Sequence, residues 1–204
     1  MKLHNVEQRS DEWYSIRLGK PTASNFHRIL SPTGKKSEQA EKYMDELIAE
    51  IVRGKKFEKF EPTISMYRGR TMEEEALDQY AKETGADVKL AGFITDDFEE
   101  VGCSPDALIG EDGGVEIKVY NPDNHIAVMR SRKLEQKHRP QTQGCLWLTG
   151  RKWWDTVCHN DGMKQVVMRS ERDEEYIKLL SDSISEFLLD MKREIQSLKS
   201  QGYI

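Results

Sequence analysis

The sequence predicts an α/β (α+β) fold in which a central mixed β-sheet is flanked by helices. Apolar residues at helical spacing dominate both ends of the chain, whereas short runs rich in Val and Ile, separated by turn residues, dominate its middle. Helices, then strands, then helices again are the order expected when helices cover a mixed sheet. Since no repeat or linker interrupts the 204 residues, we expect residues 1–204 to form one domain.

The element boundaries follow from the same patterns. Helical spacing predicts four N-terminal helices, at 10–18, 22–30 (with Thr22 as its N-cap), 37–53 and 63–83. Central strands are expected at 86–95, 99–103, 105–110 and 114–120, the last two joined by the turn sequence Glu111-Asp112-Gly113-Gly114. The rest of the chain is expected to form helices at 123–133 and 138–149, strands at 153–159 and 164–169, and a long amphipathic helix at 173–199.

Composition excludes several classes of protein. Charged residues make up 33% of the chain, and no run of eighteen apolar residues exists, so no transmembrane helix and no membrane partner are expected. The N-terminus lacks the apolar stretch of a signal peptide, which predicts a cytoplasmic location. Cys103, Cys145 and Cys158 are an odd number at wide spacing, which predicts reduced, buried thiols rather than disulfides or a zinc site.

The charge distribution is compatible with nucleic-acid binding. The formal net charge of −5 argues mildly against it, but basic residues concentrate at 17–36 and 130–152 while acidic residues concentrate elsewhere. Such segregation could form a basic groove on an acidic body. A set of solvated helix faces is the alternative reading.

The segment with the clearest chemistry joins Asp106 to Glu116 and Lys118. In a strand, Glu116 and Lys118 share one face, and the apolar residues between and around them share the other. Asp106 starts the preceding strand, across a tight hairpin. Carboxylates from adjacent strands can converge on a hard divalent cation, with the backbone carbonyl of Ile117 as a further oxygen ligand.

A lysine beside such a metal suits phosphodiester hydrolysis. A bound metal polarises the phosphate and acidifies a water molecule, and an ammonium group can orient that water or offset developing charge. A surface hairpin with an ordinary Glu–Lys pair is the alternative for Glu116 and Lys118 alone. The Pro105-Asp106 pair, ten residues before Glu116, favours a site.

Several motifs, in order along residues 10–155, resemble the phage lambda exonuclease group of viral recombinases and alkaline exonucleases, within the PD-(D/E)xK nuclease superfamily. They are Trp13-Tyr14-Ser15-Ile16-Arg17-Leu18-Gly19, Thr22-Ala23-Ser24, Arg68-Gly69-Arg70-Thr71-Met72-Glu73, Cys103-Ser104-Pro105-Asp106, Glu116-Ile117-Lys118, and Gln141-Thr142-Gln143 before Leu146-Trp147. Each is weak alone, but together they are specific. The resemblance implies the PD-(D/E)xK, restriction-endonuclease-like core for the predicted sheet.

The resemblance implies a catalytic set. Asp106 and Glu116 match the metal-binding acids, and Lys118 matches the lysine that helps to activate water. Glu73 matches an acid on an earlier helix that completes the metal site, and Gln141 matches a glutamine that reaches the active site. The spacing separately favours Glu73 over its two acidic neighbours, because it borders the apolar stripe of its helix. Oxygen ligands favour Mg²⁺ as the cofactor, with Mn²⁺ as a substitute.

The resemblance also implies a site for the 5′-phosphate of the digested strand. Arg17, Ser24 and Ser104 match the positions that hold it, and the planar guanidinium of an arginine suits phosphate oxygens. Without the resemblance, Arg17 reads as a surface residue and Ser24 as part of a helix's first turn.

Three further residues are weaker candidates. Asp96 matches another acid of the family, in support of the site, although Asp96-Asp97 also reads as an ordinary strand-end turn. Trp13 is a candidate for contact with the terminal nucleotide, and Met66 for an apolar wedge where the strands separate. Core packing is the alternative for Trp13 and Met66.

Taken together, the resemblance implies a magnesium-dependent 5′-to-3′ exonuclease that digests one strand of double-stranded DNA from a 5′-phosphorylated end. It would release mononucleotides and leave a 3′ single-stranded overhang for phage-type recombination. A ring-shaped homotrimer and a single-strand annealing protein as partner are further implications. The alternatives are an endonuclease of the same superfamily and a non-catalytic DNA-binding protein.

Overall fold

The computed structural model describes the backbone of residues 1–55 and 64–204 and the side chains of residues 1–55 and 71–204. These residues form α-helices α1 to α6 at Asp11–Arg17, Ala40–Arg53, Ile64–Thr84, Pro122–Ser131, Arg139–Thr149 and Glu174–Ser200. They form strands β1 to β8 at Lys2–His4, Val88–Leu90, Phe93–Thr95, Gly102–Cys103, Ala107–Ile109, Gly113–Val119, Trp153–His159 and Val166–Glu171. Short 3₁₀-helices span Ala23–Arg28 and Gln136–His138.

The helix boundaries coincide with residues suited to capping. Helix α1 follows Ser10, whose hydroxyl accepts a hydrogen bond from the Trp13 amide, 3.2 Å away. Helix α6 follows Asp173, whose carboxylate accepts from the Tyr176 amide at 3.0 Å. Such side chains satisfy amides that have no partner within the helix. Helices α2 and α5 end at residues in the left-handed conformation typical of helix C-termini, Gly54 and Gly150.

The larger sheet contains five strands in the order β2-β5-β6-β7-β8. Strands β6 and β7 are parallel, and the other neighbouring pairs are antiparallel. The helices α4 and α5 lie between β6 and β7 in the chain, as a connection between parallel strands requires. The predicted mixed sheet flanked by helices is therefore confirmed.

Helix α3 covers one face of this sheet. Its buried residues Ala76 and Tyr80 share a hydrophobic cluster with Val115, Ile117 and Val157 from the central strands. Because strand residues alternate between faces, Glu116 and Lys118 point to the opposite side. The burial pattern of β6 agrees with the prediction that the charged pair and the apolar residues lie on different faces.

The opposite face supports the main core. Leu108 and Trp154 enter it from β5 and β7, and helices α2, α5 and α6 supply most of its other buried side chains. A smaller sheet, β1-β3-β4, also contributes to this core through Ile94 and Cys103. The layer that packs beside Glu116 and Lys118 therefore contains α5, the helix that carries Gln141.

The prediction of one strand at 86–95 is wrong. The segment forms β2 in the larger sheet and β3 in the smaller one, separated by Ala91 and Gly92. A Cβ atom at Gly92 would lie 2.2 Å from the carbonyl oxygen of Val6 and 2.6 Å from that of His4. The N-terminal segment thus passes against the backbone at this point, where β1 pairs with β3. The second half of the segment therefore belongs to another sheet, in which it pairs with β1, a strand that the sequence did not predict.

The remaining predictions either agree with the structure or differ from it only in helix type or in the bounds of a turn. The predicted helix at 22–30 is a 3₁₀-helix, and Thr22 occupies the N-cap position without a side-chain capping bond. The β5–β6 turn lies at 110–112, because β6 begins at Gly113. The three cysteines are free and buried, as predicted. No described helix has both the length and the apolar content needed to cross a bilayer.

Candidate active site

The β5–β6 hairpin brings the two predicted metal-binding acids together. Ala107 pairs with Val115, so the same antiparallel register places Asp106 opposite Glu116. The Ile117 amide donates a hydrogen bond of 2.6 Å to Asp106 Oδ2, which fixes that carboxylate at the edge of β5. The antiparallel register of β5 and β6 therefore sets the relative position of the two acids.

Lys118, Glu116 and Gln141 form a hydrogen-bonded triangle. Lys118 Nζ lies 2.9 Å from Glu116 Oε1 and 3.1 Å from Gln141 Oε1. Gln141 Nε2, in turn, donates to Glu116 Oε1 at 2.7 Å. Gln141 is in the first turn of α5, so that helix orients both the lysine and the glutamate. Glu116 Oε2 is buried and has no hydrogen-bond partner among the described residues.

Glu73 reaches the same pocket from α3. Its neighbours Met72, Ala76 and Tyr80 are buried, whereas Glu74 is exposed, as the helical spacing predicts. Glu73 Oε2 forms an ion pair of 2.6 Å with the guanidinium of Arg9. Since α3 covers the other face of the sheet, Glu73 approaches the hairpin acids from a different layer.

The site concentrates negative charge. Burial raises the pKa of Asp106 well above its ordinary value of 3.8, and the nearby carboxylates of Glu116 and Glu73 raise it further. Burial lowers the pKa of Lys118, but Glu116 and Asp106 more than offset this effect and keep it above its ordinary value. Lys118 is therefore a cation at neutral pH, while Asp106 loses its proton at a higher pH than an ordinary aspartate does.

The donor set fits a divalent cation at the hairpin. Buried carboxylate oxygens normally have a hydrogen-bond partner, but Oε2 of Glu116 has none, and the neighbouring Asp106 is repelled by other carboxylates. A hard cation bound between the two acids would accept both carboxylates as ligands and offset their repulsion. Among the residues with described side chains, no group of three or more His, Cys, Asp and Glu is close enough to hold a metal. The fit thus rests on Asp106 and Glu116, with the Ile117 carbonyl as an expected ligand, while Glu73 is paired with Arg9.

The residues predicted to bind phosphate meet beside these acids. Arg17 Nη1 and Trp13 Nε1 each donate to Ser104 Oγ, at 2.9 Å in both cases. The guanidinium carbon of Arg17 lies 3.9 Å from the centre of the Trp13 ring, a cation–π contact that stabilises the position of the guanidinium. Burial lowers the pKa of Arg17 to about 10, so the side chain remains charged at neutral pH. Ser24 is exposed at the rim.

One pocket of about 430 Å³ joins the two groups of residues. Its walls include most of the predicted site, namely Trp13, Arg17, Ser24, Glu73, Ser104, Asp106, Glu116, Ile117, Lys118 and Gln141. Asp96 is not among its lining residues, and its carboxylate accepts hydrogen bonds from the amides of Glu100 and Val101 in the turn after β3. The strand-end reading of Asp96 is therefore the one that the geometry supports. Met66 lies in α3, but its side chain is outside the described residues.

Gln8 and Arg9 also line the pocket, and the sequence did not single them out. Gln8 Nε2 donates to the carbonyls of Ala91 and Pro105, at 2.8 Å each, which ties the N-terminal segment to the residue before Asp106. Their only local signal is their position just before Ser10, the cap of α1. Nothing in that pattern indicates which distant residues they contact.

Comparison with known proteins identifies the family. Residues 12–152 match the family described as the YqaJ-like viral recombinase domain. An alkaline exonuclease (LHK-Exo) from Laribacter hongkongensis is 32% identical in sequence, with a TM-score of 0.86 over 95% of this chain and 98% of that chain. A second structure of LHK-Exo, in complex with dAMP, gives a TM-score of 0.85 at the same identity and coverage.

A phage related exonuclease from Haemophilus somnus 129PT shares the fold, with a TM-score of 0.66 at 16% identity over 88% of this chain and 96% of that chain. A search of curated proteins finds no match. The predicted resemblance to viral recombinases and alkaline exonucleases is confirmed by the family match and by the likeness to LHK-Exo. The chain belongs to the YqaJ-like viral recombinase family, whose fold it shares with an alkaline exonuclease.

Proposed function

We propose that this protein is a magnesium-dependent exonuclease that digests one strand of duplex DNA in the 5′-to-3′ direction. The observation that carries the proposal is the single pocket in which Asp106, Glu116 and Lys118 lie beside the Arg17–Ser104 pair. Acids and a lysine suit hydrolysis, and a half-buried arginine suits a terminal phosphate. LHK-Exo has been solved in complex with dAMP, and a mononucleotide of that kind is what stepwise digestion would release.

Each residue has a distinct proposed task. Asp106, Glu116 and the Ile117 carbonyl would hold the metal, Mg²⁺ or Mn²⁺ in its place, which when bound supplies charge to polarise the scissile phosphate. Lys118 orients the attacking water and offsets charge that develops on the phosphate, and Gln141 holds the ammonium in place. Glu73 would join the metal site from α3.

Arg17 and Ser104 would grip the 5′-phosphate and so set the distance from the strand end to the scissile bond. The Trp13 ring beneath the guanidinium restricts the arginine to one orientation. Such positioning favours hydrolysis one nucleotide from the end rather than at internal sites. Ser24, at the rim, would add a hydroxyl to the phosphate.

The remaining elements of the proposal come from the family. A homotrimer around the duplex would retain the DNA during digestion and leave a 3′ overhang. A single-strand annealing protein would take up that overhang in phage-type recombination, in the cytoplasm of a bacterial host. Two basic stretches in an acidic chain are compatible with a basic channel.

Linear duplexes labelled at either the 5′ or the 3′ end, incubated with MgCl₂, test the proposal. We expect early release of the 5′ label as a mononucleotide from 5′-phosphorylated ends, and no cleavage of covalently closed circular duplex. Cleavage of the circle would indicate an endonuclease instead. Binding without release of any nucleotide would indicate a non-catalytic DNA-binding protein.

Lys118→Ala tests the chemistry of the site. Loss of one preorganised cation at the reacting phosphate should reduce the rate constant for digestion by about 10²- to 10³-fold, with DNA binding retained. Lys178→Ala is the matched control, because that lysine is exposed on α6 and pairs with Asp182. Wild-type activity in the Lys118 variant would remove the proposed mechanism.

A further inference from the structure

Arg9 has an unusual backbone conformation beside the active site. Its φ angle of 73° lies in the left-handed region, which residues other than glycine adopt at a cost. The turn is held on both sides, because Gln8 is bonded to the carbonyls of Ala91 and Pro105 and Ser10 caps α1. The surrounding structure therefore fixes the point from which the Arg9 side chain enters the pocket.

From this turn the Arg9 guanidinium meets Glu73. Its Nη2 atom lies 2.6 Å from Glu73 Oε2, and the two side chains are about one-third exposed, at 37% and 32%. Both residues line the pocket that contains Asp106 and Glu116. Lys118 is bonded to Glu116, and Arg9 supplies positive charge to a second acid of the pocket.

The ion pair affects how Glu73 can serve a metal. Glu73 lies close enough to Asp106 for its negative charge to raise the pKa of the Asp106 carboxyl. A carboxylate oxygen engaged by a guanidinium at 2.6 Å is not free to bind a cation at the same time. Metal and Arg9 would therefore compete for Oε2 of Glu73 and for the negative charge of its carboxylate.

We propose that Arg9 is a built-in counter-ion for Glu73 that a divalent metal must displace, so that Arg9 sets the metal affinity of the site. The inference rests on the proposed metal-dependent function and deepens it. In the absence of metal, Arg9 neutralises Glu73 and stabilises the crowded carboxylates. Glu73 would serve as a metal ligand only after giving up this ion pair, which would leave the Arg9 guanidinium free in the same pocket.

Titration of the full-length protein with MnCl₂, with free Mn²⁺ followed by electron paramagnetic resonance and without DNA, measures this competition. We expect Arg9→Gln to bind Mn²⁺ about two- to fivefold more tightly than the wild type, the range set by a partly exposed ion pair. Arg9→Lys should retain the wild-type affinity, because it keeps the charge. Buffer with about 0.5 M KCl screens the general effect of removing a positive charge.

A double-mutant comparison separates action through Glu73 from other effects. In a Glu73→Gln background, Arg9→Gln should leave the Mn²⁺ affinity unchanged. Arg193→Gln, which removes an exposed charge on α6, is the control for net charge. Thermal unfolding of each variant shows whether it is folded.

Unchanged or weaker binding by Arg9→Gln, or equal tightening with and without Glu73, would overturn the proposal for Arg9. If DNA digestion by the wild type is metal-dependent in that case, the proposed function survives. If neither the wild type nor Arg9→Gln binds Mn²⁺ and digestion needs no metal, the metal-dependent function and the Arg9 proposal both fail.

Discussion

Asp106→Asn should inactivate the enzyme and yet stabilise the folded protein. At an effective dielectric of about 20, two unit charges about 6 Å apart interact by about 3 kcal/mol. Burial and the charge of Glu116 make ionisation of Asp106 costly, and the attraction of Lys118 offsets only part of that cost, so the remainder is on the order of one such interaction. Asparagine can still accept from the Ile117 amide, and the change from a charged to a neutral acceptor costs about 1 kcal/mol. We expect a net stabilisation of about 1–2 kcal/mol, or about 2–8 °C in Tm.

The pH dependence of this gain has a definite sign. Because the native pKa of Asp106 is raised above 3.8, ionisation costs the folded state more than the unfolded state. The wild-type fold is therefore destabilised above the native pKa, and this destabilisation decreases as the pH falls through that pKa towards 3.8. The advantage of Asp106→Asn should be full above the native pKa of Asp106 and should shrink as the pH falls below it.

Thermal unfolding followed by circular dichroism, in EDTA from pH 8 to pH 4.5, measures the effect. Asp155→Asn is the matched control, because Asp155 is also buried but accepts hydrogen bonds of 2.8 Å from Arg169 and Tyr80. That substitution should destabilise the protein by about 1–3 kcal/mol. A lower Tm for Asp106→Asn than for the wild type at pH 8, or a gain that does not depend on pH, would refute the electrostatic reasoning.

Two further substitutions test the phosphate site and the sheet. Arg17→Ala should reduce the ratio of kcat/KM for 5′-phosphorylated over 5′-hydroxyl ends by about ten- to a hundredfold, the loss expected for a charged hydrogen bond; an unchanged ratio would contradict the assignment. Gly114→Ala places a Cβ atom 2.2 Å from the ring of Trp154, which is fully buried. The resulting overpacking should lower the free energy of unfolding by about 1–3 kcal/mol in denaturant titrations, and wild-type stability would show that the ring can move.

The hairpin part of the site could be predicted because its geometry is local. Alternation along β6 assigns Glu116 and Lys118 to one face, and a short turn places Asp106 opposite Glu116 whatever the rest of the chain does. The choice of Glu73 over Glu74 likewise follows from the repeat of a single helix. The acids and the lysine could therefore be predicted from the sequence pattern, and their proximity to Arg17 was implied by the family resemblance.

Contacts between distant segments were decided only in the tertiary structure. Neither the pairing of β1 with β3, which divides the predicted strand at 86–95, nor the ion pair between Arg9 and Glu73 has a signature in local spacing. The periodicity of one helix or strand can be recognised in its own residues. These contacts instead depend on how separate elements pack, and that packing is determined by all the elements of the core together.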